Sequence, residues 1–165
     1  DLQEQKILAT DTQSDLIDDF SRGFQDWYLL SADNPHHWQY WTRKINDPKW
    51  QGQPGEQLVF DVKAEQANQL VVVMSENFFR GYRGRQREMV AVVDLPGDGR
   101  WQRVGLMAEQ FRVPGEKTRL VNWSQVDLLG WRAYHGDRQG KVVGSTRWAG
   151  ARPQFRNLRW EKSGD

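Results

Sequence analysis

A chain of 165 residues with a formal net charge of +1, no cysteine and nine tryptophans is sized for one domain, because single cores commonly organise roughly 100 to 200 residues. Near-equal basic and acidic content, 23 Lys+Arg against 22 Asp+Glu, gives neither the basic field that favours nucleic acid nor the acidic excess of a disordered chain. Disulfides, thiolate metal sites and a cysteine nucleophile are excluded; the run Leu70 to Met74 is far short of the ~20 apolar residues of a membrane span. The chain opens without a charged-then-apolar leader, which on this reading makes it an intracellular chain, a mature product or a piece of something larger.

Along the chain, residues 1–14 are polar and unpatterned and read as an arm. Period-two alternation then marks strands at Leu16 to Phe20, His37 to Arg43, Leu58 to Lys63, Arg87 to Leu95, Arg100 to Leu106, Val126 to Tyr134 and Gln154 to Glu161. Gln69 to Ser75 is a continuous valine-rich run, as expected of a strand covered on both faces. Turn chemistry separates these segments at Asp47-Pro48, Pro54-Gly55, Pro96-Gly97-Asp98-Gly99, Pro114-Gly115, Gly136-Asp137 and Ala149-Gly150. Helical periodicity reaches a single turn at Met107 to Phe111, and Trp123-Ser124 opens a turn before Val126. About eight short strands punctuated in this way predict an all-β antiparallel sandwich or barrel, over residues 15–161 with a tail at 162–165.

Arginine outnumbers lysine sixteen to seven, and its planar fork grips carboxylates and sulfates bidentately and stacks on rings. The densest local feature is Phe78-Phe79-Arg80-Gly81-Tyr82-Arg83-Gly84-Arg85-Gln86-Arg87: four arginines and no acid, with two glycines to turn the backbone. Its guanidinium groups suit anionic sugars, or they pair with Glu76, Glu88 and Asp94 on adjacent strands. In His36 to Arg43, Trp38, Tyr40 and Thr42 share one face while His37, Gln39, Trp41 and Arg43 share the other, so one ring-bearing face is core and one is free. Arg132 and Tyr134 share a face beside Gly130, which leaves room for a ligand against the sheet. Trp27, Trp101, Trp131 and Trp160 read as core; Trp50 and Trp148, in polar loops, together with one of Trp38 or Trp41, read as exposed rings.

Four segments carry a resemblance. Leu16-Ile17-Asp18-Asp19-Phe20-Ser21-Arg22-Gly23-Phe24-Gln25-Asp26-Trp27 resembles the opening strand of carbohydrate-binding modules with the galactose-binding-like β-sandwich (jelly-roll) fold. Trp101-Gln102-Arg103-Val104-Gly105-Leu106 with Phe111, then Trp123-Ser124-Gln125-Val126-Asp127-Leu128-Leu129-Gly130, and finally Phe155-Arg156-Asn157-Leu158 match later segments of that family in order and spacing. The resemblance implies a non-catalytic polysaccharide-binding module, fused or adjacent to a carbohydrate-active catalytic domain of a secreted or periplasmic enzyme; the arginine-rich loop points to a galactan or similar plant or algal polymer, anionic or sulfated, as its ligand. The same sandwich also occurs in protein-interaction domains. The resemblance further allows a structural calcium on Asp18 and Asp19, although Arg156 replaces the family's usual acidic residue and opposes a divalent cation.

The ligand surface expected from these readings comprises Arg80, Tyr82, Arg83, Arg85 and Arg87 in the loop, with Trp38, Trp41, Trp50, Tyr134 and Trp148 as stacking rings; no membrane or nucleic acid is expected as partner. Catalysis is the competing class. The histidines, His36, His37 and His135, show no metal spacing. A hydrolase requires two of Glu76, Glu88 and Asp94 to flank a glycosidic bond, and a lyase would draw on Tyr82, His135 and Arg87.

Overall fold

The structure, a computed structural model, describes residues 15–30, 36–136, 142–143 and 147–163; the expected arm, 1–14, lies outside them, as do residues 164 and 165. Two antiparallel sheets stack face to face. The first has four strands in the order β1-β11-β4-β7: β1 (Leu16–Asp18), β11 (Gln154–Lys162), β4 (Glu56–Lys63) and β7 (Trp101–Leu106). The second has five, in the order β2-β3-β8-β5-β6: β2 (Tyr28–Leu30), β3 (Gln39–Thr42), β8 (Val126–Arg132), β5 (Asn68–Glu76) and β6 (Arg87–Leu95). A two-stranded ribbon, β9 (His135–Gly136) with β10 (Val142–Val143), completes the architecture.

Parity explains the layering. On β3 the side chains of Tyr40 and Thr42 turn inward and are buried, together with Trp38 just ahead of the strand, while Trp41 lies on the opposite face. Leu58, Phe60 and Val62 of β4 face Leu70, Val72 and Met74 of β5 across one core. Around Trp131 that core is aromatic: Trp131 stacks on Trp27 at 4.8 Å and on Phe155 at 3.7 Å, with Phe60 5.1 Å away. Val71 and Val73, on the other face of β5, are also buried, under Trp41 and beside Val90. The valine-rich strand is therefore covered on both faces, as its composition predicts.

Three expectations change. Tyr28–Leu30 is a strand, although every residue in it is exposed; an edge strand with no buried face carries no alternation to read. Trp101 is not core: it lies half-buried on the outer face of the four-stranded sheet, between the Arg156 guanidinium at 4.2 Å and the Lys63 ammonium at 5.6 Å. That face is an ion-pair lattice in which Asp61 and Glu161 tie Arg156, Arg159 and Arg103 together. Finally, β11 runs to Lys162 and Ser163 donates to the Gly55 carbonyl, so the tail expected from 162 begins later.

Candidate functional site

The outer face of the five-stranded sheet gathers rings and donors that are far apart in sequence. Register sets Tyr28 beside Trp41, Trp41 beside Gly130, and Gln39 beside Arg132. The Arg132 guanidinium lies 5.8 Å from the Trp41 ring centre, Trp41 Nε1 donates to Gln39 Oε1 at 2.9 Å, and His37 meets Tyr134 at 4.7 Å. Burial lowers the Arg132 pKa from the usual arginine range, and the Glu88 carboxylate opposes that shift. Tyr28 and Leu30 are about half exposed at the edge. The space beside Gly130 is not open to a ligand as expected: Trp41 fills it, and a Cβ built on Gly130 would come within 2.4 Å of the indole. Gly130→Ala is therefore expected to displace the Trp41 ring, shifting its fluorescence and the affinity of anything that stacks there, with a smaller change in the unfolding midpoint.

At the end of the sandwich where β5 joins β6, three loops surround a cleft of 840 Å³. Segment 22–28 contributes Arg22, Asp26 and Tyr28, segment 43–50 contributes Arg43, Lys44, Asp47 and Trp50, and the arginine loop contributes Arg80. Lys44 Nζ is held by the Ile17 carbonyl at 3.2 Å, Asp26 at 3.3 Å and Asp18 at 3.5 Å, and lies 5.4 Å from the Trp50 ring centre. Half-buried Trp50 also receives the Lys49 ammonium at 4.9 Å, and its carbonyl accepts from Trp160 Nε1.

The arginine loop is held rigidly by two side chains. Asp127, almost wholly buried on β8, accepts the backbone N–H groups of Phe78 and Phe79 at 2.9 Å and of Arg80 at 3.2 Å. Asn77, at a positive φ of 57°, donates its Nδ2 to the Arg85 carbonyl and to Gln125 Oε1. Outward the loop presents three rings beside the exposed Arg85: Phe78 and Phe79 are exposed, and Tyr82 is 87% exposed at the tip.

The ten residues expected to share a ligand surface separate into groups. Arg80 belongs to the cleft and donates to the Asn46 carbonyl. Arg83 donates to the Ser124 carbonyl, Arg85 is exposed, and Arg87 is ion-paired with Glu76 at 2.6 Å, so the pairing reading holds for Arg87. Trp41 and Tyr134 are on the outer sheet face and Trp50 in the cleft. Trp38 and Trp148 are withdrawn: both are fully buried and meet edge to face at 4.9 Å, with Trp148 Nε1 donating to the Ala151 carbonyl. A tryptophan before Ala-Gly in a polar loop looked exposed because nothing local shows that the loop folds back over Trp38. Sequence reasoning passed over Tyr28, Arg22 and Arg43 as site residues; arginine placed where a strand gives way to a loop was the signal available for Arg43.

The residues offered for calcium do not fit one. Asp18 already accepts Phe20 N–H at 2.8 Å and Trp27 Nε1 at 2.9 Å, and a divalent ion there would displace or confront the Lys44 ammonium. Asp19 is exposed and accepts the Ser21 N–H, which lowers its pKa. Neither do the carboxylates suit hydrolysis. Glu76 is paired with Arg87 on the inward parity and Glu88 lies on the opposite face. Glu88 and Asp94 share a face but stand six residues apart on one strand, about 20 Å, against the ~5 to 9.5 Å that hydrolysis needs. The lyase trio is also dispersed: Tyr82 lies beyond the Val126 end of β8, whereas His135 follows its other end.

No family model matches the chain, and no curated protein matches it in sequence. Solved structures do. One is a family 11 carbohydrate-binding module from Clostridium thermocellum in complex with a β-1,3-1,4-mixed-linked tetrasaccharide, 14% identical, with a TM-score of 0.55 over 88% of this chain and 94% of that one. Another is the family 11 carbohydrate-binding module of a cellulosomal cellulase of the same organism, 15% identical, with a TM-score of 0.55 over 90% of this chain and 94% of that one. The resemblance read from the sequence thus meets the same class of module in three dimensions: the chain has the antiparallel β-sandwich fold of carbohydrate-binding modules.

Proposed function

We propose that this chain binds polysaccharide without acting on it, and serves to hold a carbohydrate-active catalytic domain of the same secreted polypeptide on its substrate. The observation that carries the reading is the outer face of the five-stranded sheet, where Tyr28, Trp41 and Tyr134 accompany Gln39, His37 and Arg132. Sugar rings present C–H faces to such aromatics and hydroxyls to such donors, so orientation and affinity come from one surface. The fold shared with carbohydrate-binding modules supports it. The ligand class we favour is a galactan or similar plant or algal polymer bearing sulfate or carboxylate groups, from the arginine surplus. A neutral mixed-linked β-glucan is the second reading, favoured by the tetrasaccharide held by the family 11 neighbour.

Affinity electrophoresis through gels containing agarose, carrageenan, alginate, xylan or mixed-linked β-glucan tests this. Retardation in at least one gel is expected. Trp41→Ala is expected to weaken it by about 2 kcal/mol, roughly 30-fold in Kd, the loss typical of a central ring in a binding surface. Free migration through every gel would remove the polysaccharide reading and leave a protein partner for the exposed loop.

A further inference from the structure

We propose that the cleft at the loop end is an oxyanion site, which grips a sulfate or carboxylate substituent of a glycan lying on the adjoining sheet face; this deepens the polysaccharide-binding reading and rests on it. Four cations line the cleft against two acids, Asp26 and Asp47. Lys44 and Asp26 neutralise one another, and Lys44 is further tied to Asp18 and to the Ile17 carbonyl. Asp47 accepts the Lys49 N–H at 2.9 Å and so caps the turn at Pro48–Trp50.

Three guanidinium groups remain, and among the described residues none of them is paired with a carboxylate. Arg22 donates to the neutral Gln25 side chain at 2.8 Å, Arg80 donates to a backbone carbonyl, and Arg43 is exposed with no side-chain partner. They come from three loops separated by tens of residues and converge on one concavity, which a merely solvated charge run would not do. A guanidinium offers two parallel, charge-assisted hydrogen bonds to sulfate or carboxylate, and the geometry is lost on an uncharged hydroxyl. The cleft's volume lies in the ordinary range for small-ligand sites. Tyr28 belongs both to the cleft and to the row that contains Trp41, so the cleft adjoins the sheet face on which a chain would stack.

Carrageenan and chemically desulfated carrageenan share one galactan backbone and differ in sulfate, which makes them the discriminating pair. Wild type is expected to bind carrageenan at least tenfold more tightly than the desulfated polymer at low ionic strength, with the preference shrinking as salt rises. Arg43→Ala is expected to remove about tenfold from carrageenan affinity and nothing from that of the desulfated polymer, and Arg43→Lys to fall between, since it keeps the charge and loses the fork. Arg100→Ala, an exposed arginine outside the cleft, controls for net charge. Titration with sodium sulfate alone, followed by intrinsic tryptophan fluorescence, separates a free-anion site from a glycan-borne one: weak binding or none is expected. Equal affinity for the two galactans, equal losses from Arg43→Ala and Arg100→Ala, or inorganic sulfate binding as tight as carrageenan would each overturn the proposal while leaving the sheet-face reading standing. Failure of the underlying reading looks different, because no gel of either charge would then retard the protein.

Discussion

Asp127→Ala is expected to lower the unfolding free energy by about 3 kcal/mol, since a buried carboxylate that accepts hydrogen bonds contributes roughly 1.5 to 3 kcal/mol for each, less than additively. It accepts three backbone N–H groups, those of Phe78, Phe79 and Arg80. The same carboxylate fixes the path of the loop, so a second effect is local: trypsin should cut the variant at Arg83 or Arg85 well below its global unfolding transition. Asp127→Asn keeps the shape but sets an amide NH₂ against one or two of those donors, and should lose a little over half as much. Urea denaturation reads the first effect and limited proteolysis under native conditions reads the second. A variant as resistant to trypsin as wild type would show that Asn77 alone holds the loop. Because Arg80 is one of the three anchored residues, loosening Asp127 should also reduce the preference for a sulfated glycan before it abolishes binding.

What could be read in advance follows from what is local. The bounds of Arg87–Leu95 were legible because Met89, Ala91 and Leu95 face the core while Glu88, Val92 and Asp94 do not. The same parity separated Trp38 from Trp41. Edge and end structure was less legible. The strand Tyr28–Leu30 has no buried side, and Trp101 was read as core although it shares the parity of Arg103 and Gly105, opposite the buried Val104 and Leu106, on a face covered by guanidinium and ammonium groups rather than by a second sheet. The cleft could not be read at all, because it is a meeting of three loops whose proximity is a property of the sheet order; a motif scan sees Arg22, Arg43 and Arg80 as unrelated. The arginine loop misled in the other direction, since its density suggested that all its guanidinium groups act together. Arg87 starts β6 and is occupied by Glu76, and only Arg80 turns into the cleft.

Trp131→Ala should be the most damaging single change, with a loss of about 3 to 5 kcal/mol from cavity formation and lost transfer energy, in a domain whose total stability is on the order of 5 to 15 kcal/mol. The ring is fully buried between Trp27 and Phe155 and touches Phe60 and Phe20, so its removal leaves a void that flat neighbours close poorly. Trp131→Phe separates packing from chemistry. Trp131 Nε1 has no hydrogen-bond partner among the described residues, and a buried donor left unpaired costs about 1 to 3 kcal/mol. Phenylalanine removes that donor while keeping an aromatic face between Trp27 and Phe155, so its loss should be no more than about 1.5 kcal/mol, near that of a tolerated hydrophobic swap. Guanidinium denaturation of both variants checks the order, and equal losses would mean that indole volume, with no relief from the orphaned N–H, sets the cost. The consequence reaches the glycan surface, because Trp131 lies between Gly130 and Arg132 on β8 and its inward packing holds the strand that carries both. Trp131→Phe should therefore keep polysaccharide retardation close to wild type, whereas Trp131→Ala should lose it at any temperature where the sheet no longer holds Trp41 and Arg132 in register.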